Sequence, residues 1–447
     1  MADQSELLNR KRRHDEHDVQ EDISQEAKRT KEDEPDVELS TTKIIDVNYD
    51  CLEHIFKDFE FIDLFNVVDS NKHLVAVAGQ IFKRKYHEFT VDIGISNCVA
   101  NDGYFTLLTD CIWVTDRTAA LKFLRHFGHA ITKLKIACFS TDDTFFTQLH
   151  RYVHEYCSET LIEISFYYMI EFVLSSIEKP FPNVESVSFK CVKLNDNLWQ
   201  LNRLFPNMRR LTLHAMDEVT NPMCIEEHFP NLQSLTIENQ FERLEDRALN
   251  GFKEANIMEA LRLNPNVQHL NLKYFDTKFL QKIGEYIQHV ENLELSFGRW
   301  SSNHTIPTIR LENVKRLEIR MEWDPYPGFP ELPFTFDHVE EFIYVTKPFL
   351  SCNIQSSDDF FIQNPLRKVH LQTINAKLMI EGDKLDLARA LPLVTELQLE
   401  TCELNAIEAA DFINECPMLN EFQFVYTSPE EREKLRELFR GTKWESI

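Results

Sequence analysis

The sequence predicts an α/β chain made of repeated strand-and-helix units, a solenoid with a concave parallel sheet, preceded by a small helical domain and a charged tail. Three observations predict it. An apolar triplet at relative positions one, four and six recurs twelve times, from Ile131/Leu134/Ile136 to Leu419/Phe422/Phe424. Successive triplets start 30, 23, 24, 24, 35, 23, 24, 25, 27, 28 and 25 residues apart. A proline stands just ahead of many of them, in Phe181-Pro182-Asn183, Phe205-Pro206-Asn207, Phe229-Pro230-Asn231, Asn264-Pro265-Asn266 and Cys416-Pro417. An array also accounts for 447 residues, which exceed what one compact core usually serves.

In chain order, residues 1–43 hold no aromatic residue and carry 8 basic against 13 acidic side chains, the composition of a disordered tail. Within it, Arg10-Lys11-Arg12-Arg13 and Lys28-Arg29-Thr30-Lys31 are spaced like the halves of a bipartite nuclear-import signal. Residues 44–88 read as a helical domain in which Leu52, Ile55, Phe56 and Phe59 fall at i, i+3, i+4 and i+7, one helix face. About 40 residues with so much apolar surface are marginal alone, so this domain should dock on something. Residues 89–447 hold the array.

Within each unit proline ends a helix and the chain enters a strand. Alternation then turns the fourth and sixth positions inward and leaves the third and fifth outward. Helices are expected over Thr144–Tyr156, Asp196–Phe205, Phe279–Ile287 and Ala406–Asn414. The interval from Asn239 to Asn264 carries extra chain. Ser428-Pro429-Glu430-Glu431 supplies an N-cap, a first-turn proline and a glutamate at the third helical position, the start of a capping helix that closes the array near Arg440-Gly441. A period near 25 residues around this strand pattern resembles the leucine-rich repeat.

Composition excludes several functions. A formal charge of −25 repels polyanions, which argues against nucleic acid or an anionic membrane as partner. Only 10 glycines are present, and no GxxxxGK[ST], GxGxxG, GxSxG, HExxH or zinc-type spacing occurs, so no cofactor, metal site or catalytic residue is expected. The 10 cysteines are scattered singly, which fits a reducing compartment and buried small hydrophobes. No apolar signal segment opens the sequence, and the Asn303 sequon should be inert in the cytoplasm. The cytoplasm is therefore the expected compartment, with nuclear entry offered by the two basic clusters.

Val47-Asn48, Asp50, Leu52, Ile55-Phe56, Phe59, Asp63-Leu64 and Lys72 follow the spacing of the F-box, and residues 44–88 resemble that family. Asn48 stands where the family usually has proline, Ser70 where valine is usual and Leu74 where a bulky aromatic is common. The resemblance implies binding to the Skp-type adaptor of cullin-RING ubiquitin ligases through Val47, Asn48, Leu52, Ile55, Phe56, Phe59 and Leu64. F-box followed by leucine-rich repeats is a known architecture, that of non-enzymatic receptors that hold a protein substrate near the transfer machinery. The alternative is a repeat scaffold outside any ligase, its helical domain packed against the unit beginning at Ile131 with no free apolar face.

Outward strand positions are the expected substrate surface, a mixed-charge stripe that includes Lys133 and Lys135, Arg210, His269, Arg316, Lys368 and His370, turning acidic at Glu396 and Glu421. Trp323 and Tyr326, on a proline-stiffened insertion, are a second candidate because such aromatics are favoured contact residues. The same loop could instead fold back over a strand edge.

Overall fold

The computed structural model describes residues 47–95, 105–138, 143–167, 179–190, 201–214, 227–239, 254–275, 277–297, 309–321, 334–346, 364–373, 391–400, 405–425 and 428–442. The tail, the Trp323/Tyr326 insertion and Asn303 lie outside these residues.

Three helices come first: α1 (Tyr49–Phe56), α2 (Phe61–Ser70) and α3 (Val75–Tyr86). The expected four-residue face is not one face. α1 stops at Phe56, so Phe59 lies in the turn that follows. Leu52 and Phe56 are buried, whereas Ile55 is 48% exposed. Each helical residue turns by about 100°, which carries Ile55 onto the flank of the line joining Leu52 to Phe56.

The chain then enters the sheet through β1 (Thr90–Ile95), β2 (Phe105–Leu107) and β3 (Cys111–Val114). After α4 (Arg117–Phe127) come β4 (Lys133–Cys138), α5 (Asp143–Cys157), β5 (Glu163–Tyr167), β6 (Ser186–Lys190), α6 (Leu201–Leu204), β7 (Arg210–His214) and β8 (Ser234–Glu238). Next are α7 (Glu254–Leu263), β9 (His269–Lys273), α8 (Thr277–Ile283), β10 (Asn292–Phe297), β11 (Ile309–Leu311), β12 (Arg316–Met321), β13 (Phe334–Phe336) and β14 (Glu341–Thr346). The chain closes with β15 (Lys368–Thr373), β16 (Glu396–Glu400), α9 (Ala406–Glu415), β17 (Glu421–Val425) and α10 (Pro429–Leu438).

Fifteen of these strands form one open, mostly parallel sheet in the order β17-β16-β15-β14-β12-β10-β9-β8-β7-β6-β5-β4-β1-β3-β2, with β11 and β13 paired separately. Every one of the twelve sequence triplets ends on a strand of the large sheet. From β4 to β17 the strands add in sequence order, a layout compatible with a stacked array. The additional strands are β1 to β3 at one edge, where β1 pairs in parallel with both β4 and β3, and β2 runs antiparallel to β3. They lack the triplet and carry plain alternation instead, with Val91 and Ile93 or Ile112 and Val114 buried.

Alternation also sorts the two faces. Leu211 and Leu213, Leu270 and Leu272, and Leu317 and Ile319 are all buried, each worth about 1.5–3 kcal/mol of burial. Aromatic rings stack from unit to unit behind them, as in Phe166 on Phe189 at 5.3 Å and Phe181 on Phe205 at 5.7 Å between ring centres. Asparagines just ahead of the strands tie the units together, three of them directly after the pre-strand proline. Asn207 donates to the carbonyl of Pro182 at 2.7 Å, Asn231 to that of Pro206 at 3.1 Å, Asn183 to that of Glu159 at 2.7 Å and Asn313 to that of Gln288 at 2.6 Å.

Of the expected helices, α5 and α9 match within a residue or two, α8 ends at Ile283, and of Asp196–Phe205 only residues 201–205 are described, helical over Leu201–Leu204. α10 begins as expected with Ser428 accepting from the Glu431 amide at 3.2 Å. The Glu431 carboxylate does not reach back to the cap; it accepts from the Ala406 amide at 2.8 Å and so pins α10 to the start of α9. The cysteines are not uniformly buried: Cys157 and Cys416 are, Cys111 is half-buried and Cys51 is exposed.

Candidate functional site

Two surfaces carry the candidate residues. The first lies on α1 and α2. Leu52, Phe56 and Leu64, expected at a partner interface, are 5%, 1% and 0% exposed and belong to the core. Phe59 and Val47 are half-buried, and Asn48 is exposed. What the helices present outward is Tyr49, Ile55 and Ile62, at 40%, 48% and 50% exposure. Ile62 was legible as the apolar residue that follows Phe61, which takes the core position.

The inner side of these helices is committed to the rest of the fold. Phe61 meets Phe105 of β2 at 5.1 Å and Phe123 of α4 at 5.4 Å, and Phe65 meets Phe105 at 4.6 Å. Phe82 of α3 stacks on Phe127 of α4 at 4.8 Å. Asp69 and Lys122 add an ion pair between α2 and α4 at 2.8 Å. The helical segment thus packs on α4, the helix preceding β4, while keeping an apolar residue exposed on each of α1 and α2.

The second surface is the outward face of the large sheet. The strand register places its side chains in three lanes. Arg210, His269, Arg316 and Lys368 share one lane, with Ser234, Asn292 and Glu341 between them. His370 lies in the second lane, beside Ile343 and Gln398. The third lane, one alternation further along each strand, includes Tyr167, Lys190, His214, Glu238, Lys273 and Arg320. Sequence reasoning stopped one step short of this third lane. Trp323 and Tyr326 lie outside the described residues.

Charge is organised along this face. In the middle, Glu318 is only 3% exposed, and it accepts from Arg316 at 2.8 Å and from Arg320 at 2.6 Å. Arg320 also reaches Glu294 at 3.4 Å. Burial, then the neighbouring Glu318, pushes the Glu294 carboxyl upward. Lys273 pairs with Glu238 at 3.2 Å, and His214 stands 3.6 Å from the same carboxylate, with burial holding its imidazole below the usual range. The β8–β12 stretch is therefore largely self-neutralised.

Toward β17 the face turns acidic. Glu341, Lys368, Glu396 and Glu421 follow one another across β14 to β17. Lys368 pairs with Glu396 at 2.7 Å, and these residues with Ile343, His370, Gln398 and Gln423 border a shallow cleft of about 210 Å³. Toward β4 the face turns basic. Lys135 pairs with Asp92 at 2.5 Å, and the Tyr167 ring lies between Lys135 at 4.5 Å and Lys190 at 5.1 Å.

Among the described residues no group of three His, Cys, Asp or Glu side chains is placed to hold a metal ion, and no helix is long and apolar enough to cross a membrane. Comparison with protein-family models and with curated proteins finds no match for this chain.

Proposed function

We propose that the chain is a non-catalytic substrate receptor of a cullin-RING ubiquitin ligase, an F-box segment followed by a leucine-rich-repeat solenoid. The F-box segment would hold the Skp-type adaptor, the outward face of the sheet would hold a protein substrate, and the transfer chemistry would come from the partners. The carrying observation is the F-box spacing from Val47 to Lys72 in direct continuity with a sheet built from twelve repeated strands. The exposed Tyr49, Ile55 and Ile62 support an adaptor contact, because they stay uncovered while their neighbours are spent on the core. The compartment proposed is cytoplasmic, with nuclear entry through the basic clusters of the tail.

A second reading, a repeat scaffold outside any ligase, is favoured by the Phe61–Phe105–Phe123 packing, which makes the helices a cap on the first units. Tagged full-length chain, expressed with the adaptor and recovered by affinity, separates the two. The receptor reading expects adaptor recovery that falls at least tenfold in Ile55→Asp and Ile62→Asp, with thermal stability unchanged. Adaptor absent from the parent preparation, or recovered equally with both variants, would favour the scaffold. Leu52→Ala or Phe56→Ala is the wrong test, since either empties the core.

A further inference from the structure

The four strands β5 to β8 carry a feature of the outward face that the receptor reading does not use. Their central lane is Ser165, Ser188, Thr212 and Thr236, side by side in register. These are the smallest hydroxyl side chains available, so the floor is low and an approaching peptide backbone could come close. Ser188 is 9% exposed, and its Oγ is buried without a hydrogen-bond partner. A hydroxyl left in that state carries an uncompensated desolvation cost, and rotation about its Cα–Cβ bond would turn it to an acceptor delivered from outside.

The flanking lanes supply charge. Lys190 stands two residues from Ser188 on β6, and Arg210 lies opposite Ser186 on β7, on the other side of the hydroxyl lane. Strands rise about 3.3 Å per residue, so the two cations stand about 13 Å apart along the strand direction with the hydroxyls between them. Among the described residues no carboxylate pairs with either, and Lys190 rests only on the Tyr167 ring. Unpaired cations are unexpected on a chain of net charge −25, and at β8 to β12 of the same face the charges are matched pair by pair.

We propose that this patch binds an extended acidic peptide segment of the substrate, with carboxylates meeting Lys190 and Arg210 and a peptide or side-chain oxygen accepting from Ser188. Carboxylates fit on charge, because Lys190, Arg210 and the hydroxyls between them can all donate, and the carboxylates in the same lanes, Glu163 on β5 and Glu238 on β8, stand at the two ends of the patch. A nucleic acid fits poorly, since its affinity needs many phosphate contacts against a strongly negative molecule. The acidic end at Glu341, Glu396 and Glu421 lies five or more strands from β7, beyond the reach of screened charge, and takes no part in the patch. The inference rests on the receptor reading for the ligand's being a substrate, but not for its chemistry.

Fluorescence anisotropy on the purified full chain, without adaptor, tests it. The probes are a labelled ten-residue peptide alternating Glu and Gly, the same peptide with Gln for Glu, and a single-stranded DNA of equal charge. The Glu peptide should bind and the other two at least tenfold more weakly. Lys190→Glu and Arg210→Glu should each weaken the Glu peptide about tenfold, and Ser188→Val, which changes no charge, should weaken it measurably. Glu421→Lys, at the far end, should leave it unchanged. Equal binding of the Gln peptide or the DNA, or indifference to Lys190→Glu, Arg210→Glu and Ser188→Val together in variants with parental thermal stability, overturns the assignment. Adaptor recovery by the same variants is read separately: a chain that captures adaptor but ignores the Glu peptide rejects this inference alone, and the reverse outcome rejects only the ligase reading.

Discussion

Asn207 donates its side-chain amide to the carbonyl of Pro182 at 2.7 Å, a bond between one unit and the next. Asn183 and Asn231 repeat it, so the asparagine of the Pro-Asn pair, which reads in the sequence only as part of a helix stop, is a rung between units, and Asn313, which follows Glu312, makes the same kind of bond. Because the rung is solvent-exposed, Asn207→Ala should cost only about 0.5–1.5 kcal/mol. Urea unfolding checks this; a loss above about 3 kcal/mol would mean that the side chain is buried more deeply than a rung. The equivalent position before β17 is Met418, 52% exposed. Met418→Asn should raise stability slightly by donating to the carbonyl of Pro392 and removing exposed apolar surface.

His150 of α5 is half-buried with its Nε2 shut off from solvent, and its ring stands 6.4 Å from that of Phe166 between centres. Burial pulls its imidazole down to about 4 from 6.5. The folded state therefore refuses a proton that the unfolded chain accepts. Stability should be complete above pH 6.5 and decline as the pH falls from there toward 4, by about 3 kcal/mol at full extent. Denaturation midpoints at pH 7.5 and 5, compared between the parent chain and His150→Leu, measure it; equal pH slopes in the two would refute the assignment.

Glu318, 3% exposed, is held by both Arg316 and Arg320. Glu318→Ala should cost about 2 kcal/mol, below the roughly 3–5 kcal/mol typical of breaking a buried pair, because both arginines retain access to water. Restoration of that stability by Arg320→Leu in the Glu318→Ala background would show that the loss comes from the uncompensated cation.

Gly128, at the end of α4, sits where a Cβ would come 2.6 Å from Cβ of Tyr156 and 3.1 Å from its backbone carbon. Backbone cannot yield as a side-chain tip can. Gly128→Ala should therefore loosen the α4–α5 contact and cost about 1–3 kcal/mol, read as a lowered thermal midpoint.

The strands were legible because one triplet, an aliphatic residue or Met at the start and two inward apolar residues, recurs at near-constant spacing, and inward burial such as that of Leu270 and Leu272 enforces the register. The edge strands were not, because Val91/Ile93 and Ile112/Val114 carry only ordinary alternation. On the helices, spacing marked Leu52, Ile55, Phe56 and Phe59 as alike, but hydrophobicity alone does not say which apolar residue meets the core. That depended on Phe105, Phe123 and Phe127, distant in sequence. That Lys190 meets no carboxylate and Ser188 Oγ no hydrogen-bond partner among the described residues is likewise a product of register between strands, invisible along any one of them.

The central claim is that residues 47–72 form an adaptor contact on a repeat-built receptor. Titration calorimetry of the purified full chain with the purified Skp-type adaptor tests it most directly. The account predicts a one-to-one complex that Ile55→Asp weakens at least tenfold while the melting temperature stays at the parental value; no heat of binding with the parent chain, or an isotherm unchanged by Ile55→Asp, would contradict it.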